Sequence, residues 1–577
     1  MLPKEKYSFF RRLPALAPLI RGKDGASRLA ESILAVWLKR SFPDLTRKRL
    51  CQDKSLCAHP KVQALAVWLS EQELPDAVFL LASAYAFWVG AEVRGDRAMF
   101  FTPPALSARL IENLLSNGVD FTQGRFMDPA CGGAAFLAPI ALCMRQKLRE
   151  KGCSPRKVLE HICTHLSGVD LDPTLCRLSA FFIKMTLYED IVATGYQPTF
   201  DVKPANALTN LDKLYGCIDV LLCNPPYRKM PRTEVDAYRE EFKAIVEGQP
   251  NIYALFFGLA VKLLRPGGTA AFLTATSFLS GQYFSKLRTH LLEKTATKQI
   301  DIVGARTGVF VGAELETAIT VFTKRKRAAP VAEETSVFAY REGNSFDRVG
   351  AYALPNSGTA WPIPRSADDA EAIRTANGSL FRLKDYGYCI RIGAFVWNRD
   401  KRKTFRTEKA AQKNANAPIP LIWSSDIGQN GRFVFNRSEA EKRDAFVDMR
   451  DPRVSSVVRG PCVVLQRVTS NDQPRRLVGA AIPKSFIKRY GGILGENHVV
   501  FLEQISGKRA LSPTLLAKVL RSQPIDQLFR SISGSANVSA FELSQMPMPA
   551  PHRLAAQLKQ SANINTAVLE AFRHERD

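Results

Sequence analysis

An amide, two prolines and an aromatic ring directly follow an apolar run of strand length in the stretch IDVLLCNPPY, residues 218–227. The run predicts that residues 220–223 are a strand buried on both faces of a parallel sheet, which places Asn224 at its carboxyl end, where open α/β sheets bind ligands. The prolines keep the loop stiff and extended. Asn224 Oδ1 and the Pro225 carbonyl can each accept one N–H of an exocyclic amine, while Tyr227 can stack on the ring that carries it. The loop therefore suits chemistry on a planar base with an exocyclic amine; a plain exit from a strand is the alternative.

A turn of small residues follows an acid in the stretch FMDPACGGAAFL, residues 126–137. The pattern predicts a strand that ends at Asp128 and a turn, through Ala130, Cys131 and Gly132, that begins an apolar helix. Glycine lets a ligand approach the backbone closely, and the carboxylate can bind a ligand ammonium. The three glycines of a dinucleotide fingerprint are absent. The turn is predicted to bind a ligand, the alternative being a tight strand-to-helix connection.

Two acids end the next predicted strand, residues 167–173. An acid at the end of the second strand of a nucleotide-binding sheet typically binds ribose hydroxyls. Asp170 and Asp172 both qualify; we favour Asp170, because Asp172 could instead cap the following helix. Residues 200–208 are predicted to be irregular, and within them Asn206 could face an adenine ring.

The sequence Phe101-Thr102-Pro103-Pro104 precedes a predicted helix over residues 105–115. Thr102 can cap that helix, with proline in its first turn. As a helix cap the sequence is unremarkable, and it carries no chemistry on its own.

Alternating strands and helices connect these motifs. Further helices are predicted over 174–188 and 251–264, and further strands over 269–274, 298–303 and 317–323. This alternation predicts an α/β sandwich over a mainly parallel sheet. Residues 27–89 have apolar positions at helical spacing and are predicted to be largely helical, without evident chemistry.

The composition indicates a nucleic-acid-binding protein. The 577 residues, enough for two to four domains, carry 80 Lys and Arg against 55 Asp and Glu, a net charge of +25. We see no apolar run of spanning length, no basic amphipathic anchor and no convincing signal peptide. The 11 cysteines lack paired spacing, which favours a reducing cytoplasm. His161 and His165 lie one helical turn apart without a third ligand, so no metal site is predicted.

The carboxyl-terminal part is the most basic. From residue 381 onward it holds 32 Lys and Arg against 17 Asp and Glu, an excess of 15 positive charges. Short strand-like pieces alternate there with basic loops. Side chains predicted to contact phosphates or base edges of DNA are Arg391, Arg399, Lys401, Arg402, Lys403, Arg467, Arg475 and Arg476. Most such contacts would position the protein rather than specify sequence, and a solvated basic face is the alternative for some of them.

Together these features divide the chain into four predicted parts. They are a helical region at residues 1–94, a catalytic domain at 95–327, a linker or irregular segment at 328–380 that follows the basic run 324–327, and a basic DNA-recognition domain at 381–577.

Four motifs occur in an order that resembles a known family. Phe101-Thr102-Pro103, Asp128-Pro129-Ala130-Cys131-Gly132-Gly133, Gly168-Val169-Asp170-Leu171-Asp172-Pro173 and Asn224-Pro225-Pro226-Tyr227 resemble the motifs of S-adenosylmethionine-dependent N6-adenine DNA methyltransferases. The cofactor motifs precede the catalytic loop and a basic variable region comes last, as in the gamma class. The resemblance covers roughly residues 95–325.

The resemblance implies a Rossmann-like methyltransferase sheet with a helical amino-terminal region and a mixed α+β target-recognition domain at the carboxyl end. It implies that Thr102 and Asp128 bind the methionine end of S-adenosylmethionine and Asp170 its ribose. Asn224 and Pro225 would bind the target amine and Tyr227 would stack on the base. Asn206 stands where the family often has an acid for the cofactor's adenine.

The expected function is methylation of adenine N6 at a specific site in double-stranded DNA, with the target base flipped out of the helix. The chain would be the modification enzyme of a restriction–modification system, with a separate cognate endonuclease as a further partner, since we find no nuclease carboxylate cluster. Two alternatives stay open. Asn-Pro-Pro-Tyr also occurs in methyltransferases that act on protein glutamine or RNA guanine, and a DNA-binding subunit without catalysis is conceivable.

Overall fold

The structure is a computed structural model, and it divides the chain into two compact units. The first unit is Met1–Phe278 with Tyr283–Gly358, and the second is Leu279–Gln282 with Thr359–Asp577. The residues described are 3–22, 24–45, 50, 53–97, 99–304, 316–327, 333–341, 345–355, 357–376, 378–436, 443–449, 454–469, 473–505, 511–533 and 537–573.

A nine-stranded sheet forms the centre of the first unit. Its strands are β1 (Phe126–Asp128), β2 (Leu166–Asp170), β3 (Asp201–Pro204), β4 (Ile218–Cys223), β5 (Leu264–Ala275), β6 (Thr295–Val303), β7 (Thr317–Lys324), β8 (Glu334–Tyr340) and β9 (Phe346–Ala353). The strand order is β3-β2-β1-β4-β5-β7-β6-β8-β9. The first five strands in that order are parallel, β7 is antiparallel to both its neighbours, β8 is parallel to β6 and β9 is antiparallel to β8. The predicted α/β fold over a mainly parallel sheet is confirmed.

Helices precede the sheet and alternate with its strands in this part of the chain. They are α1 (Pro3–Arg12), α2 (Gly25–Ser41), α3 (Lys54–Ala58), α4 (Pro60–Ser70), α5 (Leu74–Trp88), α6 (Ala91–Arg97), α7 (Pro104–Ser116), α8 (Leu137–Glu150), α9 (Pro155–His165), α10 (Pro173–Thr186), α11 (Tyr188–Thr194), α12 (Ala207–Asn210), α13 (Arg232–Tyr238), α14 (Tyr253–Leu263), α15 (Ser277–Ser280) and α16 (Ser285–Lys294).

The amino-terminal helices belong to the core of the first unit. One continuous cluster of buried side chains joins Leu34 of α2 and Leu80 of α5 to Ile140 of α8 and Leu222 of β4. The helical region predicted at residues 1–94 is therefore packed with the sheet rather than separate from it. Among the described helices no single one is long and apolar enough to cross a membrane, although α5 and α6 meet the length and composition test as a pair bent by 114°.

Two stretches that the sequence predicted to be irregular form strands. β3 lies within residues 200–208 and pairs in parallel with β2 at the edge of the sheet. β8 and β9 lie within the predicted linker at 328–380 and extend the sheet at its other edge. These predictions were wrong because none of the three strands has the continuous apolar run that identifies a central strand: β3 and β9 are edge strands and largely solvated, and β8 is buried only at alternate residues.

The second unit holds two four-stranded sheets. Its strands are β10 (Tyr388–Ile392), β11 (Thr404–Phe405), β12 (Pro418–Ile422), β13 (Phe446–Asp448), β14 (Cys462–Gln466), β15 (Gly479–Ile482), β16 (Leu494–Gly495) and β17 (Val499–Gln504). The orders are β10-β17-β14-β15 and β11-β13-β12-β16. The helices are α17 (Ala367–Ala376), α18 (Glu408–Asn414), α19 (Lys484–Tyr490), α20 (Pro513–Leu520), α21 (Gln523–Ile532), α22 (Ala540–Gln545), α23 (Pro551–Gln560) and α24 (Ile564–Arg573). The mixed α+β character predicted for this part is confirmed.

Candidate functional site

A pocket lies at the carboxyl ends of β1, β2 and β4, which are neighbours in the sheet. Because parallel strands end at the same edge, their terminal side chains meet there. The pocket brings together most of the residues singled out in the sequence: Phe101, Thr102, Asp128, Ala130, Cys131, Gly132, Asp170, Asp172, Asn206, Asn224 and Pro226. Pro225 and Tyr227 of the same loop do not line it.

Asp128 ends β1 at the floor of the pocket and is 1% exposed. Its Oδ1 accepts a 3.0 Å hydrogen bond from the Ala130 amide. Burial raises the pKa of Asp128 to about 8, the Ala130 hydrogen bond opposes this, and the charge of Asp170 adds to it. A buried acid of this kind is ready to ionise when a cation enters the pocket.

The turn after Asp128 folds back onto β2. The Gly132 amide donates a 2.9 Å hydrogen bond to Asp170 Oδ2. Gly132 has φ +49°, and a Cβ there would lie 3.2 Å from the Phe101 ring, so backbone conformation and close packing both favour glycine. Ala134 also has a positive φ, 58°, which is uncommon for a residue with a side chain. The turn thus brings backbone, rather than side chains, to the pocket wall.

Asp170 and Asp172 have different surroundings. Asp170 accepts backbone hydrogen bonds from Gly132 and, at 2.9 Å, from Asp172. Burial is the main cause that raises its pKa to about 6. Asp172 caps α10 by accepting from the amides of Thr174 and Leu175. Asp172 therefore has the helix-capping role that the sequence left open, whereas each oxygen of Asp170 keeps a lone pair available.

A cation that the sequence analysis missed lies at the pocket mouth. Arg97, the last residue of α6, lines the pocket and binds Asp172 Oδ2 at 2.8 Å, with 45% of its side chain exposed. Tyr85 of α5 donates to the same oxygen at 2.9 Å. No local pattern marks Arg97, because its partner lies 75 residues further along the chain.

Asn224 is held by the motif that precedes α7. Its Nδ2 donates to Thr102 Oγ1 at 2.9 Å and to the Phe100 carbonyl at 3.2 Å. The expectation that Thr102 caps a helix was wrong: Pro103 occupies the cap position of α7 without a side-chain hydrogen bond. The Thr102 hydroxyl instead accepts from the amide, and its burial at 2% exposure keeps water out of this contact.

Tyr227 contacts Asn224 from the other side. Its hydroxyl lies 2.5 Å from Asn224 Oδ1 and 2.7 Å from the Leu273 carbonyl, and its ring makes an edge contact with Tyr253. A hydroxyl has one proton to share between those two acceptors, while Oδ1 has two lone pairs. Asn224 Oδ1 therefore keeps capacity to accept a further N–H.

Asn206 caps the short helix α12. Its Oδ1 accepts from the Leu208 amide at 3.0 Å, and its Nδ2 donates to the Tyr238 hydroxyl at 3.2 Å. Tyr238 also lines the pocket and was missed by the sequence analysis. Across the described residues, no group of three or more His, Cys, Asp and Glu is arranged to hold a metal ion.

The basic side chains of the second unit differ in whether protein groups already engage them. Lys401 and Lys403 are exposed, and no side-chain ion pair or hydrogen bond engages either of them within the described part of the chain. Other predicted contacts are partly engaged by protein groups: Arg391 by Glu503, Arg402 by Asp400, Arg467 by the Asn497 carbonyl and Arg475 by the Arg521 carbonyl.

The structure contradicts the prediction that Arg476 contacts DNA. Arg476 is 0% exposed, donates to the Thr469 carbonyl and to Ser533 Oγ, and lies over the Phe529 ring at 5.7 Å. A guanidinium with no exposed surface cannot reach a phosphate, so its prediction as a DNA contact was wrong.

Comparison with known proteins shows what the chain is similar to. Residues 80–353 match the model of the N-6 DNA Methylase family. The chain is 24% identical over 340 residues to the type II methyltransferase M.BsuBI of Bacillus subtilis, covering 57% of this chain and 64% of that protein. It is 25% identical over 349 residues to the type II methyltransferase M.PstI of Providencia stuartii, covering 58% and 65%. The match thus spans slightly less than two thirds of either relative.

The fold is similar to that of a solved structure. The chain is similar to one in a DrdV–DNA complex, with a TM-score of 0.50 at 13% identity, covering 92% of this chain and 65% of that chain. At this identity the likeness concerns the fold alone.

Proposed function

We propose that this chain transfers a methyl group from S-adenosylmethionine to the N6 amine of adenine at a specific DNA site, because residues 80–353 match the model of the N-6 DNA Methylase family. The observation that carries the proposal is the convergence of Asp128, Asp170 and Asn224 on one pocket at adjacent strand ends. The first two suit the cofactor and the third suits the acceptor amine.

The pocket residues fit S-adenosylmethionine, which supplies an electrophilic methyl group on a cationic sulfur. Asp128, a buried acid with a raised pKa, binds the ammonium of the methionine end. Asp170 accepts from the ribose hydroxyls with the lone pairs that its backbone contacts leave free. Ala130, Cys131 and Gly132 present the backbone alongside, and Asn206 and Tyr238 flank the adenine.

Arg97 completes the proposed cofactor site. The methionine end also carries a carboxylate, which needs a cation beside it. Of the pocket's two arginines, Arg228 is bidentate to Glu234 at 2.5 Å for both bonds, whereas the Arg97 side chain pairs only with Asp172 among the described residues. Arg97 therefore keeps donors that can bind the carboxylate.

Asn224 and the Pro225 carbonyl act on the target amine. By accepting its two N–H groups they direct the nitrogen lone pair toward the methyl group in line with the bond that breaks. No covalent intermediate with the protein is needed, and holding the reactants in this geometry supplies much of the acceleration. Tyr227 orients Asn224 and, in this proposal, provides a ring face for the base.

A base paired within a duplex cannot reach this pocket, so the target adenine is flipped out, which costs a few kcal/mol. Stacking on an aromatic side chain offsets this by about 1–3 kcal/mol. The basic second unit contacts DNA around the site, and a separate cognate endonuclease would make the chain the modification partner of a restriction–modification system. A cytoplasmic location is part of the same proposal.

Nucleoside mass spectrometry after incubation with DNA and labelled cofactor tests the proposal. We expect N6-methyladenine from the wild type and none from Asn224→Ala. The variant should still bind cofactor, because the amide it lacks acts on the target amine and not on the cofactor. Methylcytosine in place of N6-methyladenine, or no methylated nucleoside at all, would overturn the assignment.

A further inference from the structure

The second unit contains an aromatic cleft that the proposed methyl transfer does not use. The cleft, of about 480 Å³, is of the size of small-ligand pockets. Three aromatic rings line it, from Phe395, Trp397 and Trp423, together with the polar side chains of Thr404, Arg443, Asp444, Glu496 and His498.

Two of the rings form a fixed wall. Phe395 is buried, and its ring meets that of Trp423 edge-on with centroids 6.4 Å apart. The Trp423 indole N–H donates to the Asp444 carbonyl at 2.7 Å, and the Arg443 guanidinium lies 5.1 Å from the centre of the Trp423 ring. Because these contacts hold the indole from its edge and one side, its position is set before any ligand arrives.

The third ring is free to receive a partner. Trp397 is 65% exposed and makes no ring contact within the described part of the chain. Three aromatic rings that line one cleft make a contiguous apolar surface, and such a surface commonly marks a binding site. Trp397 lines the same cleft as the two fixed rings, and a cleft lined by three rings suits a flat ligand.

The Nε2 atom of His498 can form a directional hydrogen bond with a ligand in the cleft. Glu496 is 1% exposed, and its carboxylate oxygens lie 2.8 and 2.9 Å from His498 Nδ1 and 2.9 Å from the His498 amide. These bonds fix the ring and place the Nδ1 proton toward the carboxylate, so the neutral ring presents Nε2 as an acceptor. No hydrogen bond to Nε2 occurs within the described residues.

The charge around the cleft excludes some ligands. Two carboxylates, of Glu496 and Asp444, line it beside the single cation Arg443, so a phosphate is not the group it would bind. Three rings and one hydrogen-bonding nitrogen match a planar heteroaromatic ring with polar edges. This part of the chain has 15 excess positive charges, so it attracts polyanions. We therefore expect the ring to belong to a polyanion.

We propose that this cleft binds one unstacked nucleobase of the DNA, with its ring stacked on Trp397 and an N–H on its edge donated to His498 Nε2. The proposal rests on the proposed function only in taking DNA as the substrate. It adds a second base-binding site, in the second unit, to the methyl-transfer pocket of the first. The cleft would hold a base that DNA distortion has released from its partner.

Binding of full-length protein to two single-stranded probes tests this proposal. One is a 12-nucleotide oligothymidylate, and the other has the same length and charge but abasic sugars throughout. We expect Trp397→Ala to weaken binding to oligothymidylate roughly 5- to 150-fold, the effect of losing one stacked base. Its binding to the abasic probe should be unchanged. Leu380→Ala, which removes another exposed apolar side chain of the same unit, is the matched control and should change neither.

A second variant separates stacking from hydrogen bonding. His498→Phe keeps a flat ring but removes Nε2, so we expect a smaller loss, confined to oligothymidylate. An equal loss on both probes, or no loss in either variant, would overturn the proposal. Cofactor affinity of each variant is measured alongside. If wild-type protein makes no N6-methyladenine yet shows the expected probe dependence, the methyl-transfer proposal fails and the base-binding cleft stands.

Discussion

The Oγ1 of Thr102 accepts a 2.9 Å hydrogen bond from the Nδ2 of Asn224, a residue 122 positions further along the chain. The Phe100 carbonyl, which can only accept, settles which way the amide faces, because it requires the nitrogen, and the Thr102 hydroxyl then accepts from the same nitrogen. Oδ1 is thereby turned to the side where Tyr227 lies. The motif before α7 thus orients the side chain that we propose to act on the target amine.

Removing this acceptor should slow methyl transfer. Thr102→Val keeps the shape of the side chain and removes Oγ1, so the amide loses one of its two acceptors and samples other orientations. We expect a single-turnover transfer rate roughly 5- to 150-fold below that of the wild type, which corresponds to about 1–3 kcal/mol for an unsatisfied buried group. Thr102→Ser, which keeps the hydroxyl, is the control and should stay within a few-fold. A Val variant as fast as the Ser variant would show that the contact does not orient Asn224.

Asp128 should reduce the stability of the cofactor-free protein at neutral pH. Its pKa is about 8 in the folded protein, whereas it is near 3.8 when unfolded. Between these values unfolding releases a proton, so this group lowers the free energy of unfolding progressively as pH rises from about 4 to about 8. Asp128→Asn removes the effect and keeps an acceptor for Ala130. We expect it to raise stability by roughly 1–4 kcal/mol at pH 7 and by little at pH 4, as measured by denaturant titration.

The same substitution should weaken the cofactor site. Loss of the carboxylate removes the partner of the ammonium, and wild-type affinity should rise between pH 6 and pH 8 as Asp128 ionises. Calorimetry in buffers of different ionisation enthalpy should detect proton release on binding to the wild type and less in Asp128→Asn. A variant that is both less stable and equally good at binding cofactor would contradict this account.

Arg97 should recognise the carboxylate of the cofactor. We expect Arg97→Ala to lower affinity for S-adenosylmethionine roughly 10- to 150-fold, which corresponds to the ~1.5–3 kcal/mol of a hydrogen bond to a charged group. Affinity for the decarboxylated analogue should stay nearly the same as in the wild type. Arg94→Ala in the same short helix is the matched control. Equal losses for both ligands would mean that Arg97 acts only through Asp172.

Lys401 and Lys403 should contribute to DNA binding through phosphate contacts. Each neutralised phosphate contributes about −0.9 to the slope of log affinity against log salt concentration. The double change Lys401→Ala and Lys403→Ala should therefore make the slope shallower by about 1.8 if both contact phosphates. Filter binding across a salt series measures it, with Lys157→Ala, an exposed lysine of α9, as control. An unchanged slope would remove both residues from the DNA contact surface.

Most of the pocket was predictable because its residues end strands or directly follow them. Asp128, Asp170 and Asn224 each stand where an apolar run ends, and parallel strands bring such ends together. Arg97 was not predictable, since it reaches the pocket only through packing of α6 against distant residues.

The exposure of the basic side chains also could not be predicted from local sequence. Arg475 and Arg476 are neighbours in sequence, yet Arg475 is partly exposed and Arg476 is enclosed by Phe529 and Ser533, which lie more than fifty residues away. A run of positive charge therefore indicates a basic surface without indicating which of its members reach it.

The shared core of the amino-terminal helices bears on how such a protein can be recombined. Tyr85 and Arg97 bind Asp172 from α5 and α6, and Leu34 and Leu80 pack into the same cluster as Leu222. A graft that began at residue 95 would leave those apolar side chains of the sheet layer uncovered and would strip Asp172 of its tyrosine partner. Exchange of catalytic modules between related chains should therefore succeed only when the amino-terminal helices and the sheet are exchanged together.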